Sequence, residues 1–372
     1  MSSAEDDRFI ESIPSEQEDR EVSLQSYEIL TYPADFTLEV LVDKWNKKEI
    51  RVPELQRGFV WTQAQSSKLI ESFLLGLPVP PVFFYQDRGD SGLLVVDGQQ
   101  RLRSIVYFFS GLFGESGTGK RAKSFNLTGL DEHSPYCEVT YSQIKETNQS
   151  AFNKLNNSVL RSFVMKQLNP ADDTSIFQVF ERLNTGGVVL QGQEIRNCLY
   201  FGSFNESLRR LNTYPAWRHI VGRKQPDKRM RDIELILRFF ALFNNIKHYQ
   251  KPMKKFLNDF MKANTSLKDA KLERLEKLFR HTVDSVVRYL GPRPFHIHRG
   301  LNAAVYDSVF VAFAQTLDTL AEDPNDAAIR KLRARFDKLT KDGEYLVWVS
   351  SHTTDVDVVP DRISKASAVL FG

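Results

Sequence analysis

The sequence predicts an α+β chain, with a small sheet and its helices in the first half and an all-helical second half. Three observations predict it. Apolar runs of strand length recur between residues 50 and 168, bounded by Pro, Gly or Asp. Between them the apolar spacing changes to threes and fours, the period of a helix with one buried face. From Ile233 onward only the helical spacing remains.

Length and charge set the frame. A chain of 372 residues can bury one large or two medium cores. Residues 1–21 hold eight acids against Arg8 and Arg20 and few aliphatic side chains, so residues 1–25 read as a disordered acidic tail. Removing that −6 from the chain's +3 leaves +9 for the remainder, a balance suited to polyanionic partners. The two cysteines, Cys137 and Cys198, suggest no disulfide framework and fit a reducing cytoplasm. No apolar run reaches membrane-spanning length, and no basic-then-apolar signal opens the chain. A cytoplasmic protein without membrane contact is expected.

The elements follow in order. Thr37 to Lys48 has Leu38, Val40, Leu41 and Trp45 at helical spacing, and Ile50-Arg51-Val52 is a short strand stopped by Pro53. Gln56 and Arg57 fall in the next loop, beside the aromatic anchors Phe59 and Trp61. Thr62 or Ser66 caps a helix that ends at Gly76. Leu77-Pro78-Val79-Pro80-Pro81 is a rigid connector, because proline fixes φ and keeps its predecessor extended. Val82 to Tyr85 and Leu93 to Val96 read as two hairpin strands joined by the Asp87–Gly92 turn.

The stretch after the second strand carries the chemistry. Asp97-Gly98 turns the chain, and Leu102, Ile105, Val106, Phe109 and Leu112 then mark a helix. Gln99, Gln100 and Arg101 therefore lie on its first turn, where unpaired amides and the helix dipole suit an anion such as phosphate. Arg101 adds a permanent cation with a two-pronged donor fork, and Asp97 a carboxylate able to hold hydrated magnesium. The same residues also allow a plainer role, with Asp97 capping the helix and Arg101 a surface charge.

Gly114-Glu115-Ser116-Gly117-Thr118-Gly119-Lys120 spells the first seven positions of a phosphate-binding P-loop. Such a loop continues with Ser or Thr and follows a buried strand. Here Arg121 comes next and a helix comes before, so a surface loop is expected. Ser158 to Leu168 alternates as a strand that Asn169-Pro170 ends. Asp172 or Asp173 caps a helix through Leu183, and Asn184-Thr185-Gly186-Gly187 closes it. Leu190 and Gln191 start another, carrying Glu194, Arg196 and Asn197 away from its Ile195 and Leu199 face.

Residues 209–231 hold Arg209, Arg210, Arg218, Arg223, Lys224, Lys228, Arg229 and Arg231 against Asp227 alone, with Tyr214, Trp217 and His219 between them. Such a run either contacts a nucleic-acid backbone or forms a solvated loop and helix start. Arg218, Arg223, Lys224, Lys228 and Arg229 are the candidate contacts. His296-Ile297-His298 is too sparse to define a metal site.

Val52–Trp61, Leu69–Pro80, the Asp97-Gly98-Gln99-Gln100-Arg101 turn, Phe180–Gly187 and Glu194–Asn197 occur in an order that resembles one family. It is the N-terminal domain family of GmrSD-type restriction endonucleases, related to the ParB and sulfiredoxin-like nucleotide-binding fold. The resemblance spans roughly residues 35–245, more loosely to the end. It implies a ParB-like domain over 26–200, built on a small mixed sheet, and a helical domain over 201–372. Many such relatives carry a histidine-metal nuclease domain; Asp357-Val358-Val359-Pro360 has Asp where that histidine would stand, which points to a stand-alone form.

The resemblance further implies nucleoside triphosphate binding, with possible hydrolysis, coupled to DNA recognition in restriction or phage defence alongside a partner nuclease. Gln56, Arg57, Gly98, Gln99, Arg101, Asn184 and Gly186 would bind the nucleotide. Asp97 would position Mg2+ or the attacking water, and Gln100 would orient it. A non-enzymatic DNA-binding module is the alternative, and a nuclease working through Asp97 a third reading.

Overall fold

Capping chemistry sets most element boundaries in the computed structural model. It describes residues 10–11, 26–52, 59–86, 91–114, 123–170, 175–183, 191–297 and 300–372. Ile10–Glu11 forms β1, between stretches of the acidic tail that lie outside the described residues. Then come β2 (Glu28–Pro33), β3 (Phe36–Thr37) and α1 (Leu38–Asn46), whose Thr37 hydroxyl accepts from the Val40 amide at 3.3 Å. β4 (Ile50–Arg51) precedes α2 (Gln63–Leu75), where Thr62 and Gln65 cap each other's backbone and Gly76 closes the helix at φ 82°. β5 (Val82–Gln86), β6 (Leu93–Asp97) and α3 (Gln99–Ser110) follow. Next are β7 (Leu112–Phe113), β8 (Lys123–Ser124), α4 (Tyr141–Thr147) and α5 (Gln149–Asn157). β9 (Val159–Leu160), β10 (Ser162–Asn169), α6 (Ser175–Leu183) and α7 (Gly192–Leu199) end this part.

Residues 25–199 form one compact unit. Its mixed five-stranded sheet has the order β2-β10-β5-β6-β4. β10 runs antiparallel to β2 and parallel to β5; β6 is antiparallel to β5 and parallel to β4. The alternation of side chains along a strand builds two cores. Val82, Phe84, Leu93, Val95 and Val164 face one core with Leu38, Ile70, Leu102 and Phe108, while Tyr85, Leu94, Val96 and Met165 face Ile176, Phe177 and Ile195. The sheet is thus covered on both faces. That is why Leu93–Val96 is an unbroken apolar run rather than an alternating one.

The P-loop-like stretch joins β7 to β8, which pair antiparallel with each other. A P-loop leads from a strand into a helix. Here the element that follows is a strand; residues 115–122 themselves lie outside the described residues.

The second unit, residues 200–372 with 1–24, is mostly helical. It contains α8 (Ser203–Asn212), α9 (Pro215–Val221), α10 (Arg231–Asn245), α11 (Met253–Asn264) and α12 (Asp269–Leu290). After the two-residue β11 (Leu301–Asn302) come α13 (Ala303–Gln315), α14 (Asp326–Leu339), α15 (Gly343–Ser350) and α16 (Val358–Phe371). Ala303 to Ala314 is buried throughout, so α13 is the axis on which α10, α12, α15 and α16 pack. β1 pairs parallel with β11, Ile10 opposite Leu301, and the Ile10 side chain is buried.

A charged group sits inside this core. Asp307 of α13 accepts from Arg238 Nε at 3.1 and 3.2 Å and pairs with Arg238 Nη2. Arg362 Nη2 lies 3.6 Å away, and all three side chains are buried. Burial lowers the Arg362 guanidinium, with Asp307 opposing it. Burial acts on Arg238 the same way, but the charge and hydrogen bonds of Asp307 outweigh it and raise the group.

Candidate functional site

Gly98 makes the turn between β6 and α3 possible. It sits at φ 96°, a left-handed conformation costly for any residue with a Cβ. A Cβ there would stand 2.4 Å from Val82 Cγ1 and 3.0 Å from Arg101 Nη2. The chain therefore passes from the end of β6 into α3 with Gly98 as N-cap. No side chain caps this end, and no acid stands in the first turn. Asp97 is therefore not the cap. Its Oδ2 instead accepts from Arg101 Nη2 at 2.9 Å, one helical turn on.

Arg101 does two jobs with one nitrogen. Nη2 also donates to the Pro81 carbonyl at 2.9 Å, tying α3 to the proline connector that leads into β5. Its Nε is buried and makes no hydrogen bond among the described residues. The side chain is 17% exposed against 43% for Asp97, so the guanidinium is held in place while the carboxylate faces solvent.

Gln100 joins two of the sequence motifs. Its Oε1 accepts from the Val60 amide at 3.0 Å and the Trp61 amide at 3.3 Å. One residue earlier, Phe59 packs edge-on against Tyr107 and Phe113, at 4.8 and 5.4 Å between ring centres. On the other side, β4 pairs with Leu93 and Leu94 of β6. The 59–61 end of the segment carrying Gln56 and Arg57 is thus fixed beside the β6–α3 turn, and its other end follows β4 at the start of β6; residues 53–58 lie outside the described residues. The Gln100 oxygen is committed to these amides, which makes it a positioning residue for the 59–61 loop rather than a free acceptor for water. Behind it the buried Ser104 hydroxyl bonds the Gln100 carbonyl at 2.7 Å and the Ser66 hydroxyl at 2.9 Å, locking α3 to α2.

Asn184 and Gly186 also lie outside the described residues. The helix after them corrects an expectation: Gln193, Glu194, Arg196 and Asn197 of α7 are all buried, not turned outward. Arg196 Nε donates to Gln193 Oε1 at 2.7 Å, Gln193 Nε2 to Asn197 Oδ1 at 3.2 Å, and the Glu194 carboxylate accepts from the Gln191 amide. Four polar side chains in five positions of a short helix cannot all reach solvent, and that density was the available signal.

The basic stretch divides on inspection. Arg218 is buried: Nη1 bonds Asp232 at 2.7 Å and Asn212 at 2.9 Å, Nε the Arg223 carbonyl at 2.9 Å, and Nη2 the Gln225 carbonyl at 2.5 Å. It staples the α9–α10 connection and has no reach toward a phosphate backbone, which corrects its place among the nucleic-acid candidates. Trp217 is likewise core, Arg210 pairs with Glu276 at 2.6 Å, and Arg231 with Asp227 at 2.8 Å. Arg223, Lys224, Lys228 and Arg229 remain on the connecting loop, Lys224 and Lys228 exposed.

No three His, Cys, Asp or Glu side chains lie together among the described residues, and Asp97 is already engaged by Arg101. His298 is outside the described residues, and His352 is a surface group 3.3 Å from Asp355. No described helix is long and apolar enough to cross a membrane.

A doubly covered mixed sheet with a glycine turn feeding an uncapped helix places this unit in the α+β class. Residues 38–201 match the family model described as GmrSD restriction endonuclease, N-terminal domain, and this part of the chain belongs to that family. No curated protein and no solved structure matches the chain.

Proposed function

We propose that the N-terminal unit binds a nucleoside triphosphate at the β6–Gly98–α3 turn, in a DNA-directed restriction or phage-defence protein of the cytoplasm. One observation carries the reading. The N-terminus of α3 is left without a side-chain cap or an acid, while an anchored arginine stands on its first turn. Such an end offers backbone donors and a positive dipole to phosphate oxygens. The family match supports the restriction or defence setting.

In this reading the amides of Gly98 and Gln99 and the Arg101 guanidinium hold phosphates, with Arg57, Gln56, Asn184 and Gly186 as further contacts. Gln100 keeps the Arg57 segment in place. Hydrolysis is the finer part of the proposal. Asp97 accepts the proton of a water whose oxygen bonds to the terminal phosphorus as the bridging P–O bond breaks. Magnesium would come chelated by the phosphates. A partner nuclease would supply cleavage.

Nucleotide binding and phosphate release, with and without DNA, test the assignment. Arg101→Ala and Asp97→Ala should lose binding and release respectively, and Lys120→Ala should behave as wild type. An Arg101→Ala protein that binds as before would overturn the site. The second reading, a DNA-binding module, rests on the exposed Lys224 and Lys228 beside Arg223 and Arg229. A salt-dependent DNA affinity indifferent to nucleotide and to changes at Asp97 and Arg101 is its mark.

A further inference from the structure

Three consecutive residues at the start of β5 each meet one residue of the β6–α3 turn. The Pro81 carbonyl accepts from Arg101 Nη2 at 2.9 Å. Val82 Cγ1 is the atom that a Cβ on Gly98 would strike. Phe83 stands opposite Asp97 in the ladder, at a register shift where β5 advances one residue and β6 two. A bulge of this kind bends its strand and re-aims the side chains beside it. From Phe83 the row continues across the sheet to Phe163 of β10 and then to Pro33 of β2.

Phe83 and Phe163 are stacked, with 5.5 Å between ring centres and 21° between planes. The next two rings along β5, Phe84 and Tyr85, are fully buried, whereas this pair is only half-buried. Packing has thus consumed the faces of the inner rings and left part of the outer pair open, at the end of the sheet where the turn lies. An aromatic face left open in this way is a stacking surface for another flat ring.

We propose that the Phe163–Phe83 pair seats the nucleobase, so that the triphosphate held at the start of α3 belongs to a purine nucleotide whose base extends the stack. The inference rests on the reading of that turn as a triphosphate site. The direction of the stack follows from the row. Pro33 ends it beyond Phe163, while on the other side of Phe83 the row passes to Asp97 rather than to a third ring. The Asp97 carboxylate is drawn to Arg101 at 2.9 Å. A base added over Phe83 therefore lies on the side of the turn that would hold the phosphates. Neighbouring strands are about 4.8 Å apart, so base and phosphates are separated by a distance that the ribose bridges. Stacking does not read hydrogen-bonding edges and grows with ring area, which favours purines over pyrimidines.

Titration calorimetry of the full chain with ATP, UTP and inorganic tripolyphosphate, each with magnesium, tests this. ATP should bind more tightly than UTP, and about tenfold or more tightly than tripolyphosphate. Phe83→Leu and Phe163→Leu keep an apolar side chain on the sheet and remove the ring face. Each should weaken ATP about tenfold and leave tripolyphosphate as in wild type. Phe83→Tyr keeps the ring and should restore ATP binding. Leucine variants that bind ATP as wild type does overturn the proposal. So do variants that lose ATP and tripolyphosphate in equal measure, because the rings would then only support the turn. Wild-type protein that binds ATP no better than UTP or tripolyphosphate overturns it too, while the phosphate site stands if Arg101→Ala abolishes binding of all three. Wild-type protein that binds none of them removes the triphosphate reading itself, and the base platform with it.

Discussion

Two of the aspartates that arginine meets in this molecule, Asp97 and Asp307, stand in opposite surroundings. Asp97 and Arg101 share one 2.9 Å contact at a glycine turn, with the carboxylate 43% exposed. Asp307 lies wholly inside the helical unit, between Arg238 and Arg362. The first pair is near water, so its net contribution to stability is small and its geometry is available to a ligand. The second has no water to fall back on, so each partner depends on the others. Identical chemistry is a half-open pair in one place and a buried scaffold in the other, according to solvent access.

Breaking the buried group should have the larger effect. Asp307→Ala leaves two guanidinium groups uncompensated, and a loss of about 3–5 kcal/mol is expected by the rule for severed buried pairs. Denaturant unfolding of the full chain measures it; a loss under about 1 kcal/mol would mean the group is hydrated. Gly98→Ala comes next. The left-handed backbone and the 2.4 Å approach to Val82 predict a cost of about 1–3 kcal/mol, together with loss of nucleotide binding. An unchanged melting temperature would show that the turn relaxes freely.

Arg101→Ala sharpens the contrast from the other side. Its stability cost should stay near 1 kcal/mol, while nucleotide binding, followed by titration calorimetry, disappears. A variant that unfolds instead would place Arg101 with the scaffold.

A milder effect concerns Glu276, between the two extremes. Burial pushes its carboxyl up, but the Ser207 hydroxyl and Arg210 and Arg280 prevail and hold it below the usual range. A depressed folded value contributes stability above the unfolded carboxylate value, about 4.3, and loses it as pH falls through the folded one. Thermal unfolding of Glu276→Gln should therefore show a flatter acid limb than wild type. Lys224→Ala and Lys228→Ala should change stability least, by under about 0.5 kcal/mol, and be seen only in DNA binding.

How much of this was legible follows from how far each signal reaches. Thr62 and Gly76 stand at helix ends because caps act within a few residues, and the sequence displays them directly. The β6–Gly98–α3 turn was legible for the same reason. The fate of long-range partners was not. Arg218 looks like part of a basic surface until Asp232, fourteen residues on, closes on it. Arg238 meets Asp307 across 69 residues. Gln100 and the Val60 and Trp61 amides are forty and thirty-nine apart, and no periodicity foretells a side chain's contact with a distant backbone. The polar face of α7 is satisfied largely by its own neighbours three and four residues away, so its burial depends on what packs over it and not on its spacing.

The all-round burial of α13 also governs how the protein emerges from the ribosome. Residues 25–199 contain every strand of the five-stranded sheet, so the first unit can close while the rest is still being made. The second cannot. α8 to α12 are synthesised with their apolar faces open, and the helix that fills the space between them arrives only at residues 303–315. Ile10, made long before its partner, waits for Leu301. The nascent chain therefore carries an exposed apolar helical array for about a hundred residues of elongation, of order ten seconds at ordinary synthesis rates. Chaperone occupancy along the message should peak in that interval and fall once α13 has cleared the exit tunnel.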